Sequence, residues 1–245
     1  MKNYQIISFF IVFLLFSFDS EAQKLKGLLN KAREVVMNPE ELSKEEIGSG
    51  LKEALNLGVG EAVDFLSIEN GYYKSIYKIS LPEEAEKVVG KLRMLPGFSE
   101  LEDDMLLKMN RAAEDAAKKA KPIFVKGIQQ MTIRDAMNIL MGEADAATRY
   151  LEKTTYDQLY SAFKPVIVES LDKFKVRETW RGAVTAHNKL PFVAKANPDM
   201  DDYIARQALL GMFGLVEEKE AAIRQDTAAR TSPLLQKVFA KQDKN

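Results

Sequence analysis

The side chains that could do chemistry in this chain are polar residues set into otherwise apolar helical stretches. Asn110 and Glu114 are four residues apart, beside Met109 and Ala113, so they share one side of a predicted helix. The candidate binding residues are Asn110, Glu114, Asp135, Arg149, Tyr150, Arg224 and Arg230. Burying a charge is costly unless it is paired and hydrogen-bonded, so these side chains must meet each other, meet a ligand or face water.

We expect a polar cluster in which Asn110, Glu114, Arg149, Arg224 and Arg230 are connected, because arginine offers five donors in a fixed fork. Three uses of these residues stay open at this stage. They could line a ligand-binding cleft, or they could form a purely structural network of ion pairs. They could also supply a hydrolytic carboxylate pair, in which Glu114 and Asp135 share the roles of acid and base in either order.

The composition argues against several familiar kinds of site. The chain has no cysteine, which excludes disulfides, thiolate catalysis and cysteine-ligated zinc. Its single histidine, His187, cannot build a histidine-ligated metal centre. Neither of the glycine-rich nucleotide-binding motifs, G-x-x-x-x-G-K-[ST] and G-x-G-x-x-G, is present. The sequence therefore predicts no metal and no cofactor, and it favours a non-enzymatic protein.

The first 22 residues have the layout of a secretory signal peptide. Lys2 precedes a 13-residue apolar run over residues 6–18, and Ser20 and Ala22 are small residues before a cleavage point at Ala22-Gln23. The run is shorter than the ~20 residues that a membrane-spanning helix needs. We therefore expect residues 1–22 to be removed, which leaves a periplasmic or secreted protein without a stable membrane anchor.

Charge narrows the range of partners. Without residues 1–22 the chain has equal numbers of basic and acidic side chains, whereas nucleic-acid-binding proteins usually carry a basic excess. An export signal without cysteines fits a bacterial periplasm better than a eukaryotic secretory route. We expect no nucleic-acid partner, and the candidates that remain are an envelope protein or a small molecule.

Helical periodicity dominates the residues after the signal. Apolar residues recur three, four and seven apart, and the pairs Ser43 with Glu46 and Ser80 with Glu83 have capping-box spacing. Thr132 with Asp135 caps a short helix. Only residues 67–81 alternate and turn in a way that favours a short hairpin or extended segment. We predict an all-α, single-domain helical bundle over residues 23–245, with one such segment.

Prolines and glycines give finer expectations. Pro122 is expected to end or kink a long helix over residues 99–121, and Pro165 to interrupt a later one. Two glycines on one helical stripe call for a structural explanation, because each lowers helix stability by ~1 kcal/mol relative to alanine in a helix interior. The stripe consists of Gly50, Ala54, Gly58 and Ala62. We expect it to pack closely against the alanine-rich face of residues 109–120.

Five segments of the chain have distinctive sequences: GLKEALNLGVGEAV (50–63), ISLPEEAEKV (79–88), MNRAAEDAAKKAKPIF (109–124), DAMNILMGEADAATRYL (135–151) and IRQDTAARTSPLLQKVF (223–239). In order, and with MNRAAE, DAATRY and AARTSPLLQKVF as the most distinctive parts, they resemble a family of exported bacterial proteins known only as a domain of unknown function. The resemblance implies an exported, mostly helical single domain of Gram-negative bacteria, and it implies no activity. Its polar motif positions include Asn110, Arg111, Glu114, Asp135, Thr148, Tyr150, Arg224, Arg230 and Thr231.

The sequence thus favours an exported, non-enzymatic helical protein that binds a partner or a small ligand through a polar cleft. A carboxylate-based hydrolase acting on a cell-envelope substrate is one alternative. A purely structural envelope protein is the other.

Overall fold

The computed structural model describes residues 42–93, 99–197 and 199–240. Within these ranges the chain is all-helical, as predicted, with nine α-helices, one 3-10 turn and no β-strand. The predicted signal peptide and its cleavage point lie outside the described residues. No helix in the described part of the chain is both long enough and apolar enough to cross a membrane.

The helices follow each other through connections of unequal length, the longest of which joins α1 to α2. Their bounds are α1 Lys44–Leu66, α2 Glu83–Leu92, α3 Leu101–Ala117, α4 Ala120–Gln130, α5 Ile133–Leu140, α6 Ala146–Lys173, α7 Val176–Asn188, α8 Asp201–Gln225 and α9 Pro233–Phe239, with the 3-10 turn Thr227–Ala229 between the last two.

Helices α6 and α8 form the centre of the bundle. The α6 helix packs on α3, α4 and α8, and α8 also packs on α1. On its other sides α1 contacts α4, α5 and α9, while α7 contacts α2 and α6. Phe124 of α4 meets Phe213 of α8 edge to face, with ring centroids 5.6 Å apart. The core therefore lies between the long helices, and the shorter α4 contributes the fully buried Phe124 to it.

Pro165 was expected to interrupt its helix, but α6 runs unbroken from Ala146 to Lys173. Proline removes one backbone hydrogen bond from a helix interior. Phe163 and Ile167 on either side are fully buried. Since most helix stability in proteins comes from tertiary packing, the buried face of α6 holds the helix across the proline.

Pro122 also acts differently from the expectation. The long helix breaks before it, at residues 118–119, and Pro122 lies in the first turn of α4. First-turn N–H groups have no partner inside a helix, so the missing donor is harmless there. The Ser80 capping box is likewise absent, because Pro82 occupies the N-cap position of α2.

The starts predicted for two other helices, α5 and α9, are confirmed. Thr132 and Asp135 form a complete capping box at the start of α5. Ser232 caps α9 by accepting a hydrogen bond from the Leu235 N–H, with Pro233 as the first helical residue.

The small-residue stripe of α1 does pack closely, but the partner predicted for it is wrong. A Cβ atom added at Gly50 would lie 2.6 Å from Cγ2 of Val238 on α9. One added at Gly58 would lie 3.3 Å from Cβ of Lys219 on α8. The glycines therefore allow α8 and α9 to approach α1 closely. The α9 helix folds back onto α1, whereas the alanine face of α3 packs elsewhere in the core.

Residues 67–81 form a wrap of turns that ends in extended chain, without strand pairing. Asn70 has a left-handed backbone (φ 71°), which asparagine tolerates better than most residues. At Gly71 a Cβ atom would lie 2.3 Å from the carbonyl oxygen of Phe65, so this turn requires glycine. The wrap buries Tyr72 completely and is the segment that the candidate site holds.

Candidate functional site

Glu114 is a buried carboxylate that binds the start of the wrap. Its side chain is only 4% exposed. Its Oε1 accepts hydrogen bonds from the backbone N–H groups of Tyr72 and Tyr73, both at 3.2 Å. Its Oε2 accepts one from Nη1 of Arg111 at 2.6 Å. Both oxygens therefore have donors, which is what allows a carboxylate to be buried.

Asn110, one turn earlier on α3, binds the end of the same wrap. Its Oδ1 accepts from the Ile79 N–H at 2.8 Å, and its Nδ2 donates to the Ile79 carbonyl at 2.9 Å. Nδ2 also donates to the carbonyl of Leu106 at 2.7 Å. The side-chain amide thus replaces a neighbouring strand for Ile79, so the extended end of the wrap needs no sheet.

Tyr72 anchors the wrap on its other side. Its hydroxyl donates to the Ala208 carbonyl on α8 at 2.7 Å. Burial raises the pKa of this phenol, and the nearby Glu114 carboxylate raises it further. Tyr72 therefore stays protonated and remains a hydrogen-bond donor at any ordinary pH.

Arg111 connects this buried tie to the surface. Its side chain is 24% exposed, and its Nη2 donates to Oε1 of Glu69 and Oδ1 of Asn70, both at 3.0 Å. The guanidinium also lies 5.9 Å from the ring centroid of Tyr73. Two sides of Arg111 are thus fixed by buried or half-buried groups, while Glu69, at 77% exposure, is its most exposed partner.

An open groove of about 460 Å³ lies beside Arg111. The residues that line it come from the wrap, α3 and the end of α6: Ser67, Glu69, Leu107, Lys108, Arg111, Glu114, Asp115, Lys118 and Phe174. Lys108 and Lys118 pair with Asp104 and Asp115 on their own helix. The groove therefore combines an apolar wall with cations whose partners are mostly exposed.

A second buried carboxylate, Glu220, joins α8 to the start of α6. It accepts from the Ala147 N–H at 3.0 Å and from both the N–H and the hydroxyl of Thr148 at 2.8 Å. Arg224 completes this tie, with its guanidinium 2.8 Å from Glu220 and 2.9 Å from the Ile139 carbonyl of α5. Three helices therefore meet at one ion pair.

Arg230 lies next to this tie and is almost fully buried. It donates to the carbonyls of Ile223 and Arg224, both at 2.9 Å, and its guanidinium lies 5.8 Å from the Phe239 ring centroid. The cavity beneath Glu220 and Arg224 has a volume of about 20 Å³ and mainly apolar walls. That is room for about one water molecule, so this cavity is too small to hold a ligand.

The remaining candidates lie near the surface. Arg149 is 51% exposed and pairs with Asp145, Glu152 and Glu217. Asp135 caps α5, and hydrogen bonds from the hydroxyl and N–H of Thr132 lower the pKa of its carboxyl group. Partial burial raises the pKa of the Tyr150 phenol, and the nearby Asp135 carboxylate raises it further.

The structure does not bring the five residues together as one cluster. Asn110 and Glu114 bind the wrap, Arg224 and Arg230 lie at the end of α8, and Arg149 belongs to a surface network. The reason is that the wrap presents backbone N–H groups directly to Glu114, so its arginine partner is Arg111 on the same helix.

Sequence reasoning gave little weight to Arg111 and overlooked Glu220 and Tyr72. Glu220 precedes Arg224 by four residues, which is the spacing of a helical ion pair. That signal was available, but Glu220 stands in the run EEKE, where a carboxylate facing solvent is the ordinary case. Nothing local distinguishes Tyr72 from the half-buried Tyr73 and Tyr77, since its burial depends on the distant helix α8.

Comparison with known proteins gives a family and no activity. A family model described as a protein of unknown function (DUF4197) matches residues 41–240, which cover nearly all of the described chain. No curated protein and no solved structure matches the chain.

Proposed function

The chain belongs to the DUF4197 family, and from the geometry of its own residues we propose that it is an exported, non-enzymatic protein that binds a small amphipathic anion beside Arg111. The observation that carries this proposal is how the two faces of Arg111 are paired. Its inner face is fixed by a buried carboxylate, and its outer face is paired with a partner that a ligand can replace.

The exchangeable partner is Glu69. An ion pair between exposed side chains contributes only ~0.2–1 kcal/mol, so an incoming anion can displace Glu69 at little cost. A carboxylate or phosphate suits this position, because hydrogen bonds from a charged guanidinium to such groups are short and strong.

The opposite face of Arg111 is held in place. Nη1 is hydrogen-bonded to Glu114, which is itself held by two backbone N–H groups of the wrap. An arginine that is already oriented loses less conformational entropy when it binds a ligand. The buried tie therefore supports the binding residue as well as the fold.

The groove walls favour a ligand with an apolar portion. Phe174 is 41% exposed, and Leu107 also lines the groove. Three cations line the groove, whereas Glu69 and Asp115 are its only carboxylates with substantial exposure. An amphipathic anion would place its charged end at Arg111 and its apolar end against Phe174.

Binding is preferred to hydrolysis because the two carboxylates of the hydrolase alternative have other roles. Glu114 accepts three hydrogen bonds inside the bundle. Asp135 acts as a helix cap whose lowered pKa keeps it ionised, and a general acid needs a proton to donate. The purely structural alternative would account for the ties but would leave the groove without a purpose.

Native mass spectrometry of protein isolated from the periplasm of an expressing bacterium tests this proposal. We expect a retained small anion with an apolar portion, and we expect its loss from Arg111→Gln. The intact mass also reads the N-terminus, which should be Gln23. A ligand retained equally by both proteins would contradict the assignment to Arg111, and a bound species without an anionic group would contradict the proposed chemistry.

A further inference from the structure

The connection between α7 and α8 exposes an apolar tip. Phe192 is fully exposed, Leu190 is 42% exposed, and Pro191 between them is also exposed. Phe192 has a left-handed backbone with φ 59°, which is rare for a bulky residue and costs energy. Exposure and strain thus coincide at one aromatic residue.

The base of this loop is fixed although its tip is exposed. The side-chain amide of Asn188 binds both backbone groups of Ala196, accepting from its N–H at 2.8 Å and donating to its carbonyl at 3.1 Å. Trp180 donates to the Asn197 carbonyl at 3.2 Å, and the Asn197 N–H donates to Glu84 at 2.6 Å. The position of the 189–196 loop is therefore fixed by hydrogen bonds at its base.

The charged side chains of the loop itself have one sign. Lys189 and Lys195 flank the apolar residues and both are exposed, and the Lys195 ammonium also donates a hydrogen bond to the Asn188 carbonyl at the base of the loop. Residues 179–197 contain Arg181 as a third cation and no aspartate or glutamate. Outside this range the neighbouring carboxylates include Glu178 on α7, Asp199 after the loop, and Glu84, which is already bound to the base of the loop.

We propose that the 189–196 loop docks reversibly on the surface of an anionic phospholipid bilayer. Phe192 and Leu190 would enter the boundary between headgroups and acyl chains, where aromatic residues are favoured. Lys189 and Lys195 would then lie at the level of the lipid phosphates. A loop of two or three apolar residues is too small for a stable protein interface, whereas it suffices for a weak contact with a continuous surface.

The contact is peripheral and needs no membrane-spanning helix. Burying one phenylalanine strengthens partitioning by about tenfold or more. Each lysine near an anionic surface adds about a fivefold gain, which salt reduces. The account therefore predicts binding that requires anionic lipid, depends on salt and depends on Phe192.

The experiment places a tryptophan at the tip. Phe192→Trp is mixed with vesicles of phosphatidylglycerol and phosphatidylcholine, and the emission of the wild type, which has only the buried Trp180, is subtracted. We expect a blue shift, and quenching by lipids brominated in their acyl chains. Both effects should be lost with pure phosphatidylcholine and weakened in high salt. Lys189→Gln should weaken binding by about fivefold.

Met141→Trp is the matched control. Met141 is 79% exposed at the end of α5 and is followed by the acidic residues Glu143 and Asp145, so it tests apolar exposure without flanking lysines. Its emission should not change with vesicles. An unchanged emission of Phe192→Trp, or equal shifts in both variants, would overturn the proposal. Because the tip probe reports its own depth, a vesicle contact made by another part of the chain cannot imitate the expected result.

Discussion

Glu220 and Thr148 are joined by two hydrogen bonds to one carboxylate oxygen, from the N–H and from the hydroxyl of the threonine, both 2.8 Å long. Thr148 lies in the first turn of α6, where backbone N–H groups have no partner inside the helix and the helix dipole favours a negative charge. A residue of α8 thus caps α6, and Arg224 neutralises it from the other side.

Removing this carboxylate should be among the most damaging single changes in the bundle. Glu220→Ala leaves Arg224, whose side chain is 8% exposed, without its ion-pair partner and leaves the α6 N–H groups unsatisfied. Breaking a buried pair in this way typically costs ~3–5 kcal/mol. Urea unfolding measures the change. The matched control is Glu217→Ala, which removes a 46% exposed partner of Arg149 and should cost no more than ~1 kcal/mol.

Asn110 should control the wrap more than the bundle. Asn110→Ala leaves the N–H and carbonyl of Ile79 without their partner, at about 1–3 kcal/mol for each buried group that stays unsatisfied. Hydrogen exchange should show faster exchange at Ile79, while amides in the middle of α6 respond only to the loss of global stability. If the Ile79 amide kept its wild-type protection, the assigned role of Asn110 would be wrong.

Much of this architecture could be predicted from the sequence because it depends on local patterns. The periodicity of α1, the capping box at Thr132 and the start of α9 at Ser232 are properties of neighbouring residues. The continuation of α6 through Pro165 could not be predicted, because it depends on what Phe163 and Ile167 pack against in the folded bundle.

The candidate site was harder to predict for the same reason. The sequence identified Asn110 and Glu114 as polar residues on a buried face, and they are both buried. Their partners are backbone groups of the wrap, and an isolated sequence gives no signal for which backbone groups approach a side chain. Arg224 was expected to belong to one cluster with Glu114, but its ion-pair partner is Glu220, four residues earlier on its own helix.

Two glycines of α1 should respond in opposite directions to the same substitution. Gly50→Ala places a methyl group 2.6 Å from Val238 Cγ2, so it should destabilise by ~1–3 kcal/mol through overpacking against α9. Gly60→Ala meets no atom within 4 Å and should stabilise by up to ~1 kcal/mol, since alanine is the better helix former. Thermal melts of the two variants provide the comparison. A Gly50→Ala protein as stable as the wild type would mean that α9 does not pack on this stripe.

The Asp135 cap should make stability depend on pH below about 4. Hydrogen bonds from Thr132 lower the pKa of Asp135 from its ordinary value of 3.8 in the folded state. Its contribution is therefore fully present above the unfolded pKa and is lost as the pH falls through the lowered folded pKa. The stability difference between wild type and Asp135→Asn, measured by urea unfolding, should be largest near pH 6 and should shrink towards pH 2. A difference that stays constant over this range would contradict the role of the charge.

The central claim, that Arg111 binds an anion by exchanging Glu69, is tested most directly by calorimetric titration of three proteins with octanoate, a carboxylate with a short apolar chain. Glu69→Gln removes the competing carboxylate and should bind octanoate about twofold to fivefold more tightly than the wild type, which corresponds to the worth of an exposed ion pair. Arg111→Gln should bind at least about tenfold more weakly. The same affinity in all three proteins, or weaker binding to Glu69→Gln than to the wild type, would contradict the account.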